Sequence, residues 1–390
     1  MTTTIDNEQK TLNVPNLRFP EFEGEWQEST IEKQFELYSG NTPSRINKEL
    51  FNGTINWISS GELKEHYIYS TKERISQEAA NNLKLLSVGT FVIAIYGLEA
   101  EGVRGTGSII QEPSTISQAC MAFTPKGEIT NEFLYSWYKK HGHVIGVKYA
   151  QGTKQQNLSY DILEKFKISY PNVKEQDKLN LFFSLLDKRI STQNKIIEEL
   201  KKLKVCVRRL IFRTLNCSWF LLSELEASGD ICLKRGNVIP KHEHTDIFCY
   251  PVYSSSVQNG GLMGYNNTYM FNTELVTWSI DGGGNFFYRH KHKFNVTNVS
   301  GYMQLNEAKY NYRFVSEILL WQHSFMVFDY QTKAHPSVIR SIYKLPDVSL
   351  AEQELIANIF RLLDVKLQNE MTILKQYQQQ KQYLLCQMFI

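Results

Sequence analysis

An internal repeat is the sequence feature that most constrains how this chain folds. One segment begins at Glu175 and reads EQDKLNLFFSLLDKRI, and a second begins at Glu352 and reads EQELIANIFRLLDVKL, so the two copies are 177 residues apart. A match of this length predicts a duplicated architecture. Identical residues in the two copies are Glu175/Glu352, Gln176/Gln353, Phe183/Phe360, Leu185/Leu362, Leu186/Leu363 and Asp187/Asp364.

Both copies carry a helical pattern of apolar residues. The apolar positions alternate between steps of three and four, a period near 3.5 that is typical of coiled-coil helices. Polar residues interrupt the two patterns at matching positions, Gln193 with Glu370 and Lys204 with Lys381. A helix of about 39 residues would be on the order of 58 Å long. We call the apolar positions the seam: Leu179, Phe183, Leu186, Ile190, Ile197, Leu200, Val207 and Ile211 in the first copy, and Ile356, Phe360, Leu363, Leu367, Leu374, Tyr377, Leu384 and Met388 in the second.

The two helices allow two interpretations. Each could be an ordinary amphipathic helix that packs on its own domain, or the two could pair with each other. The repeat favours pairing, because two matched seams in one chain are natural partners. Pro171 and Pro346 stand shortly before the two helices, where proline is compatible with a helix start.

The regions before each helix are rich in strand-like runs and turn signals. Examples are the runs TFVIAIY at 90–96, YPVYS at 250–254 and TWSI at 277–280. The plan is therefore a domain followed by a helix, twice over. The predicted segments are a flexible tail at 1–13, a first domain at 14–171, a helical region at 172–216, a second domain at 217–346 and a C-terminal helical region at 347–390.

Composition and charge bound the function. Hydrophobic residues make up 42% of the chain, which excludes a disordered protein, and the net charge of +3 excludes a DNA binder that works by bulk charge alone. No apolar run approaches about 18 residues, and the polar N-terminal stretch lacks the centre of a signal peptide. The six cysteines form no CxxC motif. We expect a cytoplasmic protein with reduced thiols.

Familiar enzyme motifs are missing. The sequence contains no GxxxxGK[ST] phosphate loop and no Asn/Asp-Pro-Pro-aromatic site of amino-methyltransferases. The glycine-rich stretch 102–107 has the spacing of a turn rather than of a dinucleotide loop. The tripeptide Glu-Leu-Lys at 62–64 and 199–201 could be half of a nuclease site or a chance recurrence. We therefore expect that the chain is not an enzyme.

Histidines and basic residues cluster in the second domain. His242 and His244 could chelate a metal from one face of a strand, or could be solvated or phosphate-facing, which we favour. The basic run RHKHK at 289–293 follows the aromatic-glycine stretch 284–288. On an exposed loop these residues would suit DNA, with cations for phosphate and amides or rings for base edges, although a plain surface loop is equally compatible.

Two polar loops have similar chemistry. The runs SSSVQNG at 254–260 and GTKQQN at 152–157 consist mainly of hydroxyl and amide residues. Their donors and acceptors could read bases or could merely cap turns. The sequence does not rank these alternatives.

An ordered set of motifs resembles the specificity subunit of a type I restriction–modification system, and the resemblance covers essentially the whole chain. Each motif is weak alone, but the set together with the duplication is specific. Besides the two repeated helices, the motifs are NVPNLRFPEFEGEW (13–26), NWISSGEL (56–63), VGTFVIAIYG (88–97), SQAC (117–120), GTKQQNL (152–158) and TWSIDGGGNFFY (277–288).

The resemblance implies an α+β fold with two mixed α/β target recognition domains, each followed by a long helix, and an antiparallel coiled coil formed by the two helices. Each domain would read one half of a bipartite, gapped DNA target, and the helices would set the spacer. Two modification subunits holding S-adenosylmethionine would dock on the helices and methylate adenine. Restriction subunits using ATP and Mg²⁺ would translocate and cut. This chain itself would hold no catalytic residue, cofactor or metal.

The second domain departs from the first, since it lacks the WISSGEL and IAIYG elements. We therefore expect two half-sites of unrelated sequence. The competing hypothesis is a coiled-coil scaffold that joins two protein-binding domains without DNA. It explains the repeat but not the set of motifs.

The reader hypothesis predicts residues close to DNA in both domains. Basic and amide residues of the first domain and polar, aromatic and basic residues of the second are the candidates. They are Arg45, Lys154, Gln155 and Gln156 in the first domain, and Ser255, Gln258, Asn259, Asn285, Tyr288, Arg289 and Lys333 in the second.

Overall fold

The computed structural model describes residues 12–152, 156–239, 249–256, 258–281, 283–326 and 333–390. These residues divide into two compact units, one made of 12–193 with Ile373–Ile390 and the other of Asn194–Thr372. The predicted five-segment division stays a prediction. Its N-terminal tail falls mainly on residues 1–11, which lie outside the described residues.

The first unit contains short strands, one long helix and the first part of the first seam helix. Their bounds are β1 Gln27–Thr30, α1 Ile31–Gln34, β2 Phe35–Ser39, β3 Ile55–Ile58, β4 Tyr67–Ile68, β5 Arg74–Ile75, α2 Gln77–Asn81, β6 Phe91–Ala94, β7 Gly107–Ile110, β8 Ser114–Ile116, β9 Cys120–Pro125, α3 Asn131–Tyr149, α4 Tyr160–Leu163, β10 Lys167–Tyr170 and α5 Val173–Thr214.

A mixed sheet with the strand order β2-β9-β6-β7-β4 forms the centre of the first unit. The run predicted as a strand at 90–96 contains β6, whose residues are all buried, so this prediction is confirmed. Helix α3 covers the sheet, with Phe133 and Tyr138 packed against Phe91 and its neighbours. Thr130 begins α3, because its hydroxyl accepts the backbone N–H of Phe133.

The second unit is built on longer strands. Its bounds are β11 Trp219–Leu221, α6 Leu222–Ala227, β12 Ile231–Arg235, β13 Tyr250–Tyr253, β14 Leu262–Asn266, β15 Phe271–Ser279, β16 Phe286–Val296, β17 Ser300–Leu305, α7 Tyr312–His323, α8 Pro336–Ile342, β18 Lys344–Pro346 and α9 Leu350–Met388.

The sheet of the second unit has the order β12-β17-β15-β16-β13-β14, with β13 parallel to β16 and the other pairs antiparallel. Helix α7 packs on β15 and β16 through Phe314, Ile318 and other buried residues. The runs predicted as strands at 250–254 and 277–280 contain β13 and the end of β15, which confirms them.

Within the first unit, α5 and α9 pack side by side and run in opposite directions. The ring of Phe183 lies 5.6 Å from that of Phe389, and Arg189 lies over Tyr377 at 5.3 Å. Because the later residue of α5 contacts the earlier residue of α9, the pairing is antiparallel.

Within the second unit, the other ends of the same helices repeat these contacts. The rings of Phe212 and Phe360 are 5.9 Å apart, and Lys204 donates a 2.6 Å hydrogen bond to Asp364. The repeat relates Phe212 to Phe389 and Phe183 to Phe360, each pair being 177 residues apart. The repeated sequence therefore makes the same phenylalanine contact in each unit. The predicted seam is confirmed: its residues are buried or half-buried in both helices.

A buried glutamine attaches each seam helix to its domain. The side chain of Gln176 accepts the backbone N–H of Thr130 at 3.0 Å, and the side chain of Gln353 accepts that of Asn311 at 3.0 Å. Thr130 and Asn311 are the N-cap residues of α3 and α7. Each glutamine amide also donates to two backbone carbonyls. The repeated Gln of the EQ motif therefore joins the helix to the main helix of its domain.

Candidate nucleic-acid interface

Four of the motif segments in the first unit meet beside one another. The carbonyl of Ile58 accepts the N–H of Ser117 at 2.9 Å, and the N–H of Ile95 donates to the carbonyl of Ala119 at 2.9 Å. The carbonyl of Ile95 in turn accepts the N–H of Leu158 at 2.8 Å. The motifs at 56–63, 88–97, 117–120 and 152–158 are distant in sequence, but these backbone hydrogen bonds bring them together in one part of the domain.

Arg45 is fixed next to this junction. Its guanidinium donates two hydrogen bonds to Glu73, at 2.5 and 2.9 Å, and lies over the rings of Phe51 and Trp57 at 4.2 and 5.1 Å. Trp57 is buried, whereas about half of the Arg45 side chain is exposed. The arginine is therefore a preorganised and half-exposed cation, and a guanidinium is a group that suits a phosphate or a guanine edge.

A shallow depression of about 350 Å³ adjoins Arg45. Its lining is rich in hydroxyl and amide groups, and Thr42 donates a hydrogen bond across it to Gln118. Such groups can pair with base edges. The lining residues are Thr42, Arg45, Trp57, Ser59, Ser60, Ser117, Gln118 and Ala119.

Gln156 lies on the fourth segment of the same junction. Its backbone N–H donates to Glu99 at 2.9 Å, and its carbonyl accepts the N–H of Leu98 at 3.0 Å. The hydrogen bond from Gln156 lowers the pKa of Glu99, which stays ionised at neutral pH. Lys154 and Gln155 lie outside the described residues. The structure therefore places Arg45 and Gln156 on connected segments of one domain.

The second unit brings another set of predicted residues together. Ser279 contacts the loops that carry Ser255 and Asn285. Its hydroxyl donates to the carbonyl of Ser255 at 2.7 Å, and its N–H donates to the carbonyl of Asn285 at 3.1 Å. Lys333 forms a 2.9 Å ion pair with Asp281 next to Asn285. Ser255, Asn285 and Lys333 thus lie around the end of β15.

The loop that follows β13 has an unusual backbone. Asn259, Gly260 and Gly261 all have positive φ, at 49°, 62° and 84°. Asparagine and glycine tolerate this conformation better than other residues. A Cβ added to Gly261 would lie 2.9 Å from the carbonyl oxygen of Ser254, so no side chain fits there. The tight turn leaves Gln258 and Asn259 exposed.

Arg289 supports this loop from inside. It lies on β16 and is only 7% exposed, and its guanidinium stacks 3.6 Å over the ring of Tyr253 and donates to Thr277 at 2.9 Å. A Cβ added to Gly261 would lie 3.4 Å from its Nη2 atom. Burial lowers the pKa of Arg289 to about 10, which leaves it charged at neutral pH.

The prediction of an exposed basic loop at 289–293 is therefore wrong. These residues belong to β16, where they pair with β15. A contact between Arg289 and DNA stays a prediction. The partners that the structure gives this arginine are protein groups, and its described position is that of a support for the loop at 254–261.

Tyr288 is not part of this set. Its hydroxyl donates to Glu274 at 2.5 Å, and Arg313 of α7 lies 5.0 Å from the centre of its ring. Neighbouring residues of a strand point to opposite faces of the sheet. Tyr288 therefore faces α7, whereas Arg289 faces the loop after β13.

Histidines give no metal centre among the described residues. His290 and His292 stack with 4.3 Å between ring centres, and no group of three or more His, Cys, Asp or Glu side chains suited to a metal occurs in the described part of the chain. His242 and His244 lie outside the described residues.

Sequence reasoning missed several residues of both sites. Gln118 and Trp57 belong to motifs that were recognised, but no role was assigned to them. Glu73 and Tyr253 hold Arg45 and Arg289 in place, and only tertiary contacts identify them.

Comparison with known proteins decides the family. The model of the type I restriction modification DNA specificity domain matches residues 23–202 and again 224–379. The chain belongs to this family. The two matches confirm both the resemblance and the duplication.

Individual relatives agree with this assignment. The chain is 29% identical over 191 residues to the EcoR124I/EcoR124II specificity subunit of Escherichia coli, a match of 48% of this chain and 46% of that protein. It is 35% identical over 152 residues to the putative type I specificity subunit S.MpnORF285P of Mycoplasma pneumoniae, 37% of this chain and 48% of that one. The chain thus spans about half the length of the curated relatives it matches.

Solved structures agree on the fold. One similar structure is the crystal structure of the type I restriction–modification S subunit from M. genitalium. The match includes 97% of this chain and 99% of that one, with a TM-score of 0.59 and 18% sequence identity. A second similar chain comes from a structure titled for complex assembly and conformational transition of the type I R-M system. The match includes 92% of this chain and 96% of that one, with a TM-score of 0.60 and 11% sequence identity. The predicted fold class is confirmed. None of the helices described here is long and apolar enough to cross a membrane.

The position of Arg289 leads to a testable prediction. We expect Arg289→Leu to lower the free energy of unfolding of the second unit by about 1–3 kcal/mol, because Thr277 loses its partner and Tyr253 loses its cation. Hydrogen exchange in 254–261 should also accelerate. Urea unfolding together with exchange mass spectrometry measures both effects.

The control for that variant is Lys333→Met, which removes an exposed ion pair worth about 0–1 kcal/mol. Equal stability and equal exchange in the wild type and Arg289→Leu would contradict a supporting role for this arginine.

Proposed function

We propose that this chain is the DNA-sequence-specificity subunit of a type I restriction–modification complex and that it acts in the cytoplasm. Each domain reads one half of a bipartite, gapped target, and the helix pair sets the spacer and carries the modification subunits. The observation that carries the proposal is a repeated set of contacts. The same glutamine contact between a helix and its domain, and the same phenylalanine contact between the helices, occur once in each unit.

The reading surface of the first domain is the junction around Arg45 and Gln156. Arg45 supplies a fixed cation, and the depression beside it supplies hydroxyl and amide groups. These groups can discriminate bases in the major groove, whereas cations toward phosphate give affinity without sequence preference. Lys154 and Gln155 belong to the same proposal, although they lie outside the described residues.

The reading surface of the second domain is the cluster at the end of β15. Gln258 and Asn259 are its exposed amides, and Ser255, Asn285 and Lys333 stand beside them. Arg289 supports the loop from inside, and DNA contacts of Arg289 and Tyr288 remain predictions. The two surfaces share no motif, which supports two unrelated half-sites.

The chemistry belongs to partner subunits in this proposal. The modification subunits bind S-adenosylmethionine and transfer its methyl group to adenine, and the restriction subunits use ATP and Mg²⁺. The role of this chain is to bind the target and to orient the partners on it, without catalytic, cofactor or metal-binding residues of its own.

The helix length supports a gapped target. Helix α5 has 42 residues and is therefore about 63 Å long. One turn of B-DNA spans about 34–36 Å. A helix longer than one turn of B-DNA fits half-sites that are separated by bases that are not read.

Exposed leucines on the two helices support docking of two modification subunits. Leu185 and Leu362 are identical residues of the repeat and remain 57% and 61% exposed. Leu181 and Ile359 extend the apolar surface next to them. Two exposed apolar patches centred on the same repeated leucine suit two copies of one partner.

The docking proposal predicts a stoichiometric effect. We expect Leu185→Asp alone to leave one modification subunit bound per chain, and the double variant Leu185→Asp/Leu362→Asp to leave none, because a charge in an apolar contact weakens it by on the order of tenfold or more. Analytical ultracentrifugation of the mixture with modification subunits measures the stoichiometry.

The matched control is Ser191→Asp/Gln368→Asp. These two residues are related by the same repeat, are exposed and add the same charge. Retention of both modification subunits by the double leucine variant would contradict the proposed docking surface.

The reader role itself is tested by single-molecule sequencing of methylated adenines in the host with and without this gene. We expect one two-part gapped motif to disappear on deletion and to return when the gene is restored. Survival of every motif in a host whose partner subunits are expressed would contradict the proposal and would favour the scaffold without DNA.

A further inference from the structure

The helix repeat contains an aspartate, Asp187 in the first copy and Asp364 in the second. The residue of the domain that contacts this aspartate differs between the two units. In the second unit, Asp364 pairs with Arg313 of α7 as well as with Lys204. In the first unit, Asp187 pairs with Lys381, and the second cation is His66. A permanent charge in one unit therefore corresponds to a titratable group in the other.

His66 is held in a geometry that suits its charged form. Its Nε2 atom is hydrogen-bonded to Glu132 at 3.0 Å, and its Nδ1 atom lies 3.4 Å from Oδ2 of Asp187, an ion-pair contact without the geometry of a hydrogen bond. A neutral imidazole carries a proton on only one nitrogen, so it cannot present N–H groups to both carboxylates. The ring is stacked between Tyr67 and Tyr135, with ring centres 4.0 and 3.9 Å away and nearly parallel planes.

The neighbours of His66 lie on three parts of the first unit. His66 directly precedes β4 of the domain, Glu132 and Tyr135 lie on α3, and Asp187 lies on α5. The side chain is 12% exposed. This one imidazole therefore connects the sheet, the main helix of the domain and the seam helix.

We propose that protonated His66 is a positioning residue that holds the first domain on α5, so that reading of the first half-site depends on pH while reading of the second, secured by Arg313, does not. The inference rests on the proposed function, since it concerns how the two half-sites are read. His66 contacts no DNA in this proposal and acts through the orientation of its domain.

The electrostatics agree with this geometry. Burial lowers the pKa of His66, but the carboxylates of Asp187 and Glu132 raise it by more, so it lies above the ordinary value of 6.5. The contribution of the protonated ring is complete below pH 6.5 and is lost as the pH rises through the raised pKa.

Other charged and titratable groups face the same site. Tyr67 and Tyr135 have pKa values raised mainly by burial and stay neutral, and Glu65 contributes a further carboxylate nearby. Burial and the proximity of Lys381 lower the pKa of Lys139 to about 8. Lys139 therefore titrates in the pH range of the test. Every variant used below keeps Lys139, so that a difference between wild type and a His66 variant reports on His66.

At the corresponding contact of the second unit, the described cations that meet Asp364 and Glu317 are Lys204, Arg208 and Arg313. Glu317 is only 4% exposed between Lys204 and Arg208, and arginine is in general a permanent cation in proteins. These contacts of the second unit are a control within the same chain for the pH dependence proposed for the first.

The test uses the complex of this chain with its modification subunits and duplexes that carry the mapped target with one base changed in either half. The ratio of methylation rates on intact and changed duplexes is measured at about pH 6 and about pH 8.5, on either side of the histidine titration. The variants are His66→Arg, which carries a permanent cation, His66→Gln, which is neutral, and Arg313→His.

We expect discrimination at the first half-site to fall on the order of threefold to tenfold from the lower to the higher pH in the wild type, and discrimination at the second to stay constant. His66→Arg should remove the pH dependence, and His66→Gln should show the weaker discrimination at both values. Arg313→His should transfer the pH dependence to the second half-site.

Identical pH profiles in the wild type and His66→Arg would overturn the inference, as would an equal fall at both half-sites. A separate measurement without DNA distinguishes this failure from a failure of the proposed function. Hydrogen-exchange protection of residues 65–68 in the free chain should decrease at the higher pH in the wild type and not in His66→Arg. Equal protection in both proteins would overturn the positioning role even if a gapped target is found.

Discussion

The repeated contact between the two seam helices is the interaction on which the rest of the structure depends. In each unit a lysine of one helix pairs with an aspartate of the other, and two phenylalanines meet beside the pair. The apolar seam supplies most of the attraction, because its apolar residues are buried or half-buried in both helices. Partly buried ion pairs add little net stability, but a shifted register would leave each charge without its partner, so they specify the register.

This register decides where the domains attach. Gln176 and Gln353 lie at the beginning of their helices and bond to the N-cap residues of α3 and α7. A buried amide with three hydrogen bonds is costly to displace, so each glutamine helps to fix its domain to its helix. The loops that we propose to read DNA are then free to differ. Arg45 lies over Trp57 in one domain, whereas Arg289 lies beneath the turn at Gly261 in the other.

The sequence predicted the helices and several strands, but only part of the candidate sites. The seam is a local periodic signal, so Leu179 and Ile356 could be assigned to it without knowledge of the fold. Arg289 was misplaced because a basic run is typical of a loop, and its pairing with β15 depends on contacts that no local pattern records. The support of Arg45 by Glu73 was missed for the same reason.

The most direct test of the central claim changes the length of the helix pair. Residues 191–197 and their repeat partners 368–374 form one heptad of each helix, and removing both shortens the pair by about 10 Å, roughly three base pairs, while the seam stays in phase. Sequencing of methylated adenines in a host that carries this variant reads the result. Our account predicts the same two half-sites with a shorter spacer. Methylation of the original motif with its spacer unchanged would contradict it.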